Sequence, residues 1–242
     1  MMSGAFRAVV TATAATGIGM TAFGDRYLLV GTVAAMSVVF AVGWPSLLGL
    51  PSRRAGSIVL VATAVVGLAV LLLTDDLAYV AVVFGLSVVA GFVHELARRD
   101  GRPRLVESVS GVVTGAVVVT SAAGWIAIGT GRAPVGLLLC GVVTLAVAAT
   151  CTALPVPTWF GAPLTIALAA VSGLAVGYLI PVVGMLTGVL VGLAAGVLTA
   201  SVHRLFGQFP ASGRPWPALA AALLPVAVSG VPVYVLGRLL LV

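Results

Sequence analysis

This sequence contains very few charged residues. Asp, Glu, Lys and Arg make up 7% of its 242 residues, and residues 133–203 contain none of them. A typical soluble domain is about one-quarter charged. Inside a bilayer every backbone N–H and C=O must be paired within the protein, so an uncharged stretch of this length predicts packed transmembrane helices. The scarcity of charge therefore excludes a soluble enzyme or a soluble binding module over most of the chain.

The sequence also lacks the motifs of common membrane enzymes and pumps. It has no His-Glu-x-x-His, Gly-x-Ser-x-Gly or phosphate-binding-loop pattern. No ionisable side chain falls at the middle of a predicted span, where proton pumps and intramembrane proteases need one. Cys140 and Cys151 lie on one predicted helix, about 16 Å apart at 1.5 Å per residue, which is too far for a disulfide. We therefore predict no catalytic residue, no cofactor, no metal site and no nucleic-acid partner.

The chain is instead rich in hydrophobic residues, which make up 61% of it, and its mean hydropathy is +1.26. Charges and prolines divide it into nine predicted helices of an all-α, polytopic membrane bundle. The first is the weakest, because a cleaved signal peptide with Arg7 before its apolar run is the alternative, and eight spans would then remain. The predicted spans are Ala8–Phe23, Tyr27–Leu50, Ala55–Thr74, Leu77–His94, Ser108–Gly131, Val135–Leu154, Leu164–Ile180, Val182–His203 and Pro217–Leu236.

The basic residues predict an orientation. All twelve are Arg, which is typical of high-GC codon usage and favours a bacterial source. With the N-terminus inside, nine fall on the cytoplasmic side and three outside, as the positive-inside rule requires. Tyr and Trp also fall near the predicted interfaces, where their amphipathic rings are preferred. The chain is therefore expected to be a multi-pass protein of the bacterial cytoplasmic membrane. The aromatics assigned to the outer side are Tyr27, Tyr79, Trp125, Tyr178 and Tyr234, and those assigned to the inner side are Trp44, Trp159 and Trp216.

The chain contains signs of an internal duplication. The segments 65–70 and 171–176 are similar, Val93-His94 recurs as Val202-His203, and Gly101-Arg102-Pro103 recurs as Gly213-Arg214-Pro215. Four predicted helices separate equivalent points, so the copies would have the same orientation in the membrane, as in some transporters. We predict a first repeat over 1–131, which includes the N-terminal helix, a second over 132–242, and no soluble domain.

Glycines repeat every fourth residue on the helix that follows Pro181. Such a face lets another helix backbone approach closely. It indicates a static packing surface, which we favour. The alternatives are self-association and the moving interface of a transporter. Gly111 and Gly115 follow the same pattern on another helix. The predicted packing residues are Gly173, Gly177, Gly184, Gly188, Gly192 and Gly196.

The one dense charged segment follows His94. Its arginines Arg98, Arg99, Arg102 and Arg104 are candidates for contact with anionic lipid headgroups at the cytoplasmic face, because guanidinium groups match phosphate oxygens. The alternative, which we favour, is a positive-inside anchor in which Glu95 pairs with Arg98 or Arg99 on the same helix.

Three smaller features have both a structural and a functional interpretation. Pro225 and Pro232, with Gly230 between them, predict either a bent last helix or an unwound segment that could contact substrate. His94 and His203 occupy matching positions and predict helix-end residues or a proton-sensitive pair. The acidic pair at 75–76 predicts either a solvated turn or a site that attracts a cation to the mouth of a pore.

These patterns favour a small transporter, permease or lipid-translocating protein without an obvious coupling residue. The first alternative is a non-catalytic membrane subunit or scaffold, and the second is a membrane-embedded lipid-modifying enzyme that uses Glu95, Asp100 and Glu107. The expected partners are the lipid bilayer, anionic lipids at the cytoplasmic face, and a second copy or another membrane protein. The transporter interpretation rests on resemblance of layout alone.

Overall fold

The computed structural model describes residues 4–21, 23–99, 101, 103–129, 132–207 and 209–240. Within these residues the chain is all-helical, with nine helices of 18 residues or more. A four-residue helix continues the fifth of them, and a 3₁₀ turn at Pro210–Gly213 precedes the last. The helices are α1 Gly4–Thr21, α2 Arg26–Leu47, α3 Arg53–Thr74, α4 Leu77–Ala97, α5 Leu105–Ala122, α6 Gly124–Ala127, α7 Arg132–Thr152, α8 Thr158–Leu179, α9 Met185–Gly207 and α10 Pro215–Leu240.

Eight of these segments are long and apolar enough to cross a membrane, with α5 and α6 counted as one span. The chain is therefore a multi-pass membrane protein, and the prediction of an all-α polytopic bundle is confirmed. The remaining long helix, α1, packs against α7 and α10, and its Ala15 and Ile18 are completely buried. That α1 is a retained span, and not part of a signal peptide, stays a prediction.

Most of the charge lies at one end of the bundle, which we call the basic end. The N-terminus of α1 and the C-terminus of α9 meet there, since a Cβ added at Gly207 would lie 3.8 Å from the Arg7 guanidinium. The start of α10 joins them against α2, where Gly43 touches the Trp216 carbonyl. Eight of the eleven described arginines lie at this end: Arg7, Arg53, Arg54, Arg98, Arg99, Arg104, Arg204 and Arg214. That the basic end faces the cytoplasm stays a prediction.

The centre of the bundle is built on α10, which packs against α1, α2, α5, α6, α7 and α9. By contrast, α4 and α8 lie at the periphery and bury only 22% of their apolar windows. Their outward Leu, Val and Phe side chains form the surface that lipid would cover. The two predicted repeats meet mainly through α10, which touches α1, α2, α5 and α6, and through α1 against α7. Each contains four spans in the same order, but the duplication stays a prediction.

Two of the four tryptophans depart from the expected interfacial position. Trp44 is 3% exposed and Trp125 is completely buried. Their indole N–H groups donate to the Gly111 and Val226 carbonyls, at 2.8 Å each. They therefore join helices inside the bundle and do not belong to an interfacial belt. The exposed aromatics fit that belt: Tyr27, Tyr79, Trp159, Tyr178 and Trp216.

Prolines break fewer helices than the sequence suggested. Pro163 was predicted to lie in a loop, but α8 begins at Thr158 and contains it. The last helix is continuous through Pro225 and Pro232, so of the two interpretations given above the unwound segment does not occur. A break appears instead at Ala123, within the predicted span Ser108–Gly131. Prolines are tolerated inside membrane helices because neighbouring helices, side chains and local adjustments can satisfy the freed backbone groups.

Candidate functional site

A polar cavity lies between α1, α7, α9 and α10 at the basic end. Its volume is about 20 Å³, enough for one water-sized group. Its polar lining includes the half-buried side chains of Arg7 and His203, in a chain with only 7% charged residues. Three threonines from three different helices complete the polar part of the lining, Thr11, Thr152 and Thr199. We call this the inner cavity.

A second cavity of about 120 Å³ shares Thr152 and His203 with the first, and we call it the outer cavity. It lies where the end of α7 and the start of α8 meet the end of α9. Arg204 contributes its charge, and Leu154 and Val156 contribute apolar contact. The two cavities therefore adjoin each other at the two shared residues, and the outer one reaches the peripheral helix α8.

The three threonine hydroxyls of the inner cavity are not equivalent. The Thr11 hydroxyl donates to the Ala222 carbonyl at 2.6 Å, and the Thr152 hydroxyl donates to the Ala149 carbonyl at 2.7 Å. Thr199 is 4% exposed, and its hydroxyl has no hydrogen-bond partner among the described atoms. A buried hydroxyl without a partner costs free energy relative to its state in water. Thr199 therefore offers an unused donor to anything that enters the cavity.

A buried carboxylate organises the basic ends of α3, α4 and α5. Glu95 is 1% exposed, and its Oε1 accepts hydrogen bonds from Ser52 at 2.9 Å and from Ser108 at 2.6 Å. Its Oε2 accepts a hydrogen bond from Arg98 at 2.6 Å. Because Ser52 donates to Glu95, its side chain does not cap α3. Four side chains from three elements thus form one network, which we call the Glu95 network.

The four candidate headgroup arginines do not form one cluster. Arg98 points inward to Glu95, and its side chain is only 8% exposed. Arg99 is exposed. Arg104 pairs with Glu107 and donates to the Gly49 carbonyl at 3.1 Å, with a left-handed backbone at φ +54°. Arg102 lies outside the described residues, as does Asp100. The predicted pairing of Glu95 with Arg98 is present.

The predicted glycine row lies between α8 and α9. A Cβ added at Gly173 would lie 2.0 Å from the Gly188 carbonyl oxygen, and one at Gly192 would lie 2.2 Å from the Ala169 carbonyl oxygen. Gly196 likewise lies against the backbone of Ile166. These helices therefore touch backbone to backbone, with no room for a side chain.

Two further glycines meet at the turn between these helices. Gly184 has φ +76° and precedes α9; a Cβ on it would meet nothing, but its carbonyl lies against Gly177. Gly184 thus allows the turn, while Gly177 allows the contact. The pair Gly111 and Gly115 serves a different interface, where added Cβ atoms would meet Leu50 and Trp44.

The proline region of α10 is filled by the α5–α6 break. A Cβ on Gly124 would lie 2.3 Å from the Gly230 carbonyl carbon, and Trp125 covers the same turn of α10. Gly230 is buried here and Pro232 is partly buried. Pro225 lies one turn nearer the basic end and lines the inner cavity. Of the three candidate residues, therefore, Pro225 alone lies against a described cavity.

The remaining candidates have ordinary structural positions. His94 Nε2 is buried without a hydrogen-bond partner in the described part, whereas His203 lines both cavities. Asp75 pairs with Arg26, and Asp76 caps α4 by accepting from the Ala78 N–H at 2.8 Å. Among the described residues, no group of three His, Cys, Asp or Glu side chains could hold a metal ion. Cys140 and Cys151 are free and buried.

Reasoning from the sequence missed the paired cavities. The sequence places Arg7 at the start of the first apolar run and matches His203 with His94, but it does not bring the two residues together. The available signal was weak, because threonines are common in this chain and only the fold brings three of them together. Similarly, Ser52 and Ser108 carried no pattern that pointed to Glu95.

No protein-family model matches this chain, and no curated protein or solved structure has significant similarity to it.

Proposed function

We propose that this protein is a small carrier that moves a polar or amphiphilic solute across the membrane. The observation that carries the proposal is the pair of adjoining cavities at the basic end, which share Thr152 and His203 in their linings. Ligand sites in helical membrane bundles lie between helices and combine a few convergent polar groups with apolar walls. Lipid translocation is included, because the outer cavity reaches the peripheral helix α8.

The α8–α9 hairpin is the element we propose to move. Its two helices touch backbone to backbone at Gly173 and Gly188, so they behave as one rigid unit. The hairpin contributes one wall of the outer cavity, and α7 contributes the other. A displacement of the hairpin against α7 would change the access to His203, which lines both cavities. This is a rigid-body form of alternating access.

The two other classes of function have less support. The enzyme alternative needs Glu95 as an acid or base, but its carboxylate oxygens accept hydrogen bonds from three side chains. Glu107, its other described carboxylate, is exposed and paired with Arg104. The scaffold alternative has no particular surface in its favour, since α4 and α8 present apolar faces that lipid would also cover.

The proposal is tested by filling the outer cavity. Ala200 is buried and lines it, so Ala200→Leu should occupy the space that a solute needs. In proteoliposomes, exchange of a fluorescent phosphatidylglycerol between leaflets should be catalysed by the wild type and reduced at least fivefold by Ala200→Leu. Ala81→Leu, on the exposed face of α4, is the matched control and should retain the wild-type rate.

Counterflow of labelled inorganic phosphate is measured on the same vesicles. Correctly folded wild type that moves neither probe above empty liposomes would contradict the carrier proposal. Stoichiometric co-purification with one membrane protein, together with that result, would favour the scaffold alternative.

A further inference from the structure

We infer that the paired cavities bind a phosphate group, either as a free anion or as the headgroup of an amphiphile. The inference rests on the proposed function, because it names the chemical class of the solute. Its first support is charge. His203 lines both cavities, with Arg7 in the inner one and Arg204 in the outer one, and the described lining of neither contains Asp or Glu.

This charge pattern selects among ligand classes. A metal cation or an amine would meet like charges and no carboxylate. A neutral solute would gain nothing from the charges of Arg7 and Arg204, which line the inner and the outer cavity. A guanidinium binds phosphate oxygens through parallel, charge-assisted hydrogen bonds, which makes arginine the usual side chain for this group. The surroundings therefore favour a compact oxyanion.

The second support is the Thr199 hydroxyl, which is independent of the charges. It is 4% exposed, lines the inner cavity, and has no described partner. Its neighbours Thr11 and Thr152 already donate to carbonyl groups. An oxyanion oxygen would accept the remaining O–H bond, which a cation could not do. One water could satisfy Thr199 alone, so the choice of an oxyanion also depends on the basic residues that line the cavities.

The third support is size. The inner cavity, at about 20 Å³, holds one oxygen-sized group, and the outer cavity, at about 120 Å³, has room for the rest of a phosphate and its first substituent. The outer wall carries Leu154 and Val156, which suit an alkyl chain. A phosphate oxygen would thus lie near Thr199 and Arg7, with the phosphorus beside His203. Inorganic phosphate and a phosphatidic acid headgroup share this chemistry.

Binding is measured on the purified full-length protein in an uncharged detergent. The probes are inorganic phosphate and dihexanoyl phosphatidic acid, with chloride at equal ionic strength as the control. Isothermal titration should show saturable binding of at least one phosphate probe and none of chloride. Binding of phosphatidic acid alone identifies a lipid headgroup as the source, and binding of both identifies the phosphate group itself.

Thr199→Val is the decisive variant, because valine has nearly the same shape and lacks the hydroxyl. Without ligand it should melt at or above the wild-type temperature, since an unsatisfied buried hydroxyl is removed. With ligand, its Kd should be at least tenfold weaker. The control is Thr144→Val, whose buried hydroxyl donates to the Cys140 carbonyl outside the cavities, and its Kd should stay within twofold of wild type.

Arg7→Gln should also weaken binding at least tenfold, and Arg53→Gln, at the same end but outside both linings, should not. If Arg7→Gln does not fold, Thr199→Val alone decides. No saturable binding of either phosphate probe, or a Thr199→Val Kd within twofold of wild type, overturns the inference. Binding without transport would remove the carrier proposal and leave this site intact, whereas transport without phosphate binding would do the reverse.

Discussion

The basic ends of α4 and α9 are built in opposite ways, although the sequence predicts that they are equivalent. After His94, α4 places Glu95 inside the bundle, where Ser52, Ser108 and Arg98 occupy its oxygens. After His203, α9 places Arg204 at the surface, and a cavity remains beside it. At the α4 end, the Glu95 carboxylate occupies the position between the helices. At the α9 end, basic side chains border a cavity.

The difference shows how a charge near the membrane surface can serve either packing or binding. A buried carboxylate stabilises only when all of its oxygens are hydrogen-bonded. Glu95 meets that condition, so the α4 end is complete without a ligand. The α9 end has an unpartnered Thr199 hydroxyl in its place. We therefore expect substitutions at the α4 end to change stability, and substitutions at the α9 end to change binding.

The largest expected effect is that of Glu95→Ala. It would leave Arg98 with a buried charge and two serines without their acceptor, at a cost of about 3–5 kcal/mol in the free energy of unfolding. Thermal unfolding in detergent measures the loss. Arg204→Ala, the matching change on α9, should cost less than about 1 kcal/mol because the side chain is exposed. Equal losses at the two positions would contradict the comparison.

The next effect compares glycines on the same two helices. A Cβ at Gly188 of α9 would lie 2.1 Å from the Gly173 carbonyl oxygen, whereas a Cβ at Gly85 of α4 would meet nothing within 4 Å. Gly188→Ala should therefore cost about 1–3 kcal/mol through overpacking. Gly85→Ala should be neutral or stabilising by up to about 1 kcal/mol, since alanine favours helix.

A leucine makes the same test more severe. Gly192→Leu would place a branched side chain against the Ala169 backbone and should reduce expression and melting temperature more than Gly85→Leu does. Wild-type stability of Gly192→Leu would mean that this face does not meet another helix in the membrane.

A smaller effect is expected at Trp44, which joins α2 to α5 and α9. Its indole N–H donates to the Gly111 carbonyl at 2.8 Å, and its ring makes an edge contact with Phe206 on α9. Trp44→Phe keeps an aromatic ring and removes the hydrogen bond, so unfolding should become easier by about 1 kcal/mol. Denaturant titration measures it. No measurable change would show that packing alone joins α2 to α5 and α9.

The last prediction concerns the side of the membrane that each helix end faces, and its substitutions should leave stability unchanged. Arg99→Cys and Arg204→Cys, placed in a Cys140→Ala, Cys151→Ala background, should both resist an impermeant thiol reagent added outside intact cells. Both should react after the cells are opened. Asp75→Cys, at the other end, should react in intact cells. Labelling of Arg99→Cys from outside would reverse the predicted orientation, and labelling of one α-helix end without the other would end the equivalence of α4 and α9.

The fold could be predicted from the sequence because it depends on local properties. The uncharged stretch 133–203 and the proline and charge positions determine which segments are helices, and lipid requires that they pack. Helix ends at Thr74 and Leu77 agree with the prediction because the acidic turn between them is unambiguous. Pro163 was misplaced because a proline inside a membrane helix removes one backbone hydrogen bond without ending the helix, and α8 runs through it.

The site was harder to predict because its parts come from distant positions. Arg7, Thr152 and Thr199 lie on three helices, and only the packing of α1 against α7 and α10 brings them together. The glycine row illustrates the opposite case, since its spacing alone indicates a close contact. Even so, the spacing did not distinguish Gly184, which permits a turn, from Gly188, which permits contact. The partners of a buried polar group require the three-dimensional arrangement.

The central position of α10 has a consequence for how the protein is made. This helix contributes core residues against α2, α5 and α7, yet it leaves the ribosome after all of them. Until then, Gly124 and the Trp125 indole have no α10 backbone to contact. The earlier helices are therefore only loosely packed in the bilayer at first. Insertion of α10 completes the packing of the bundle during biogenesis.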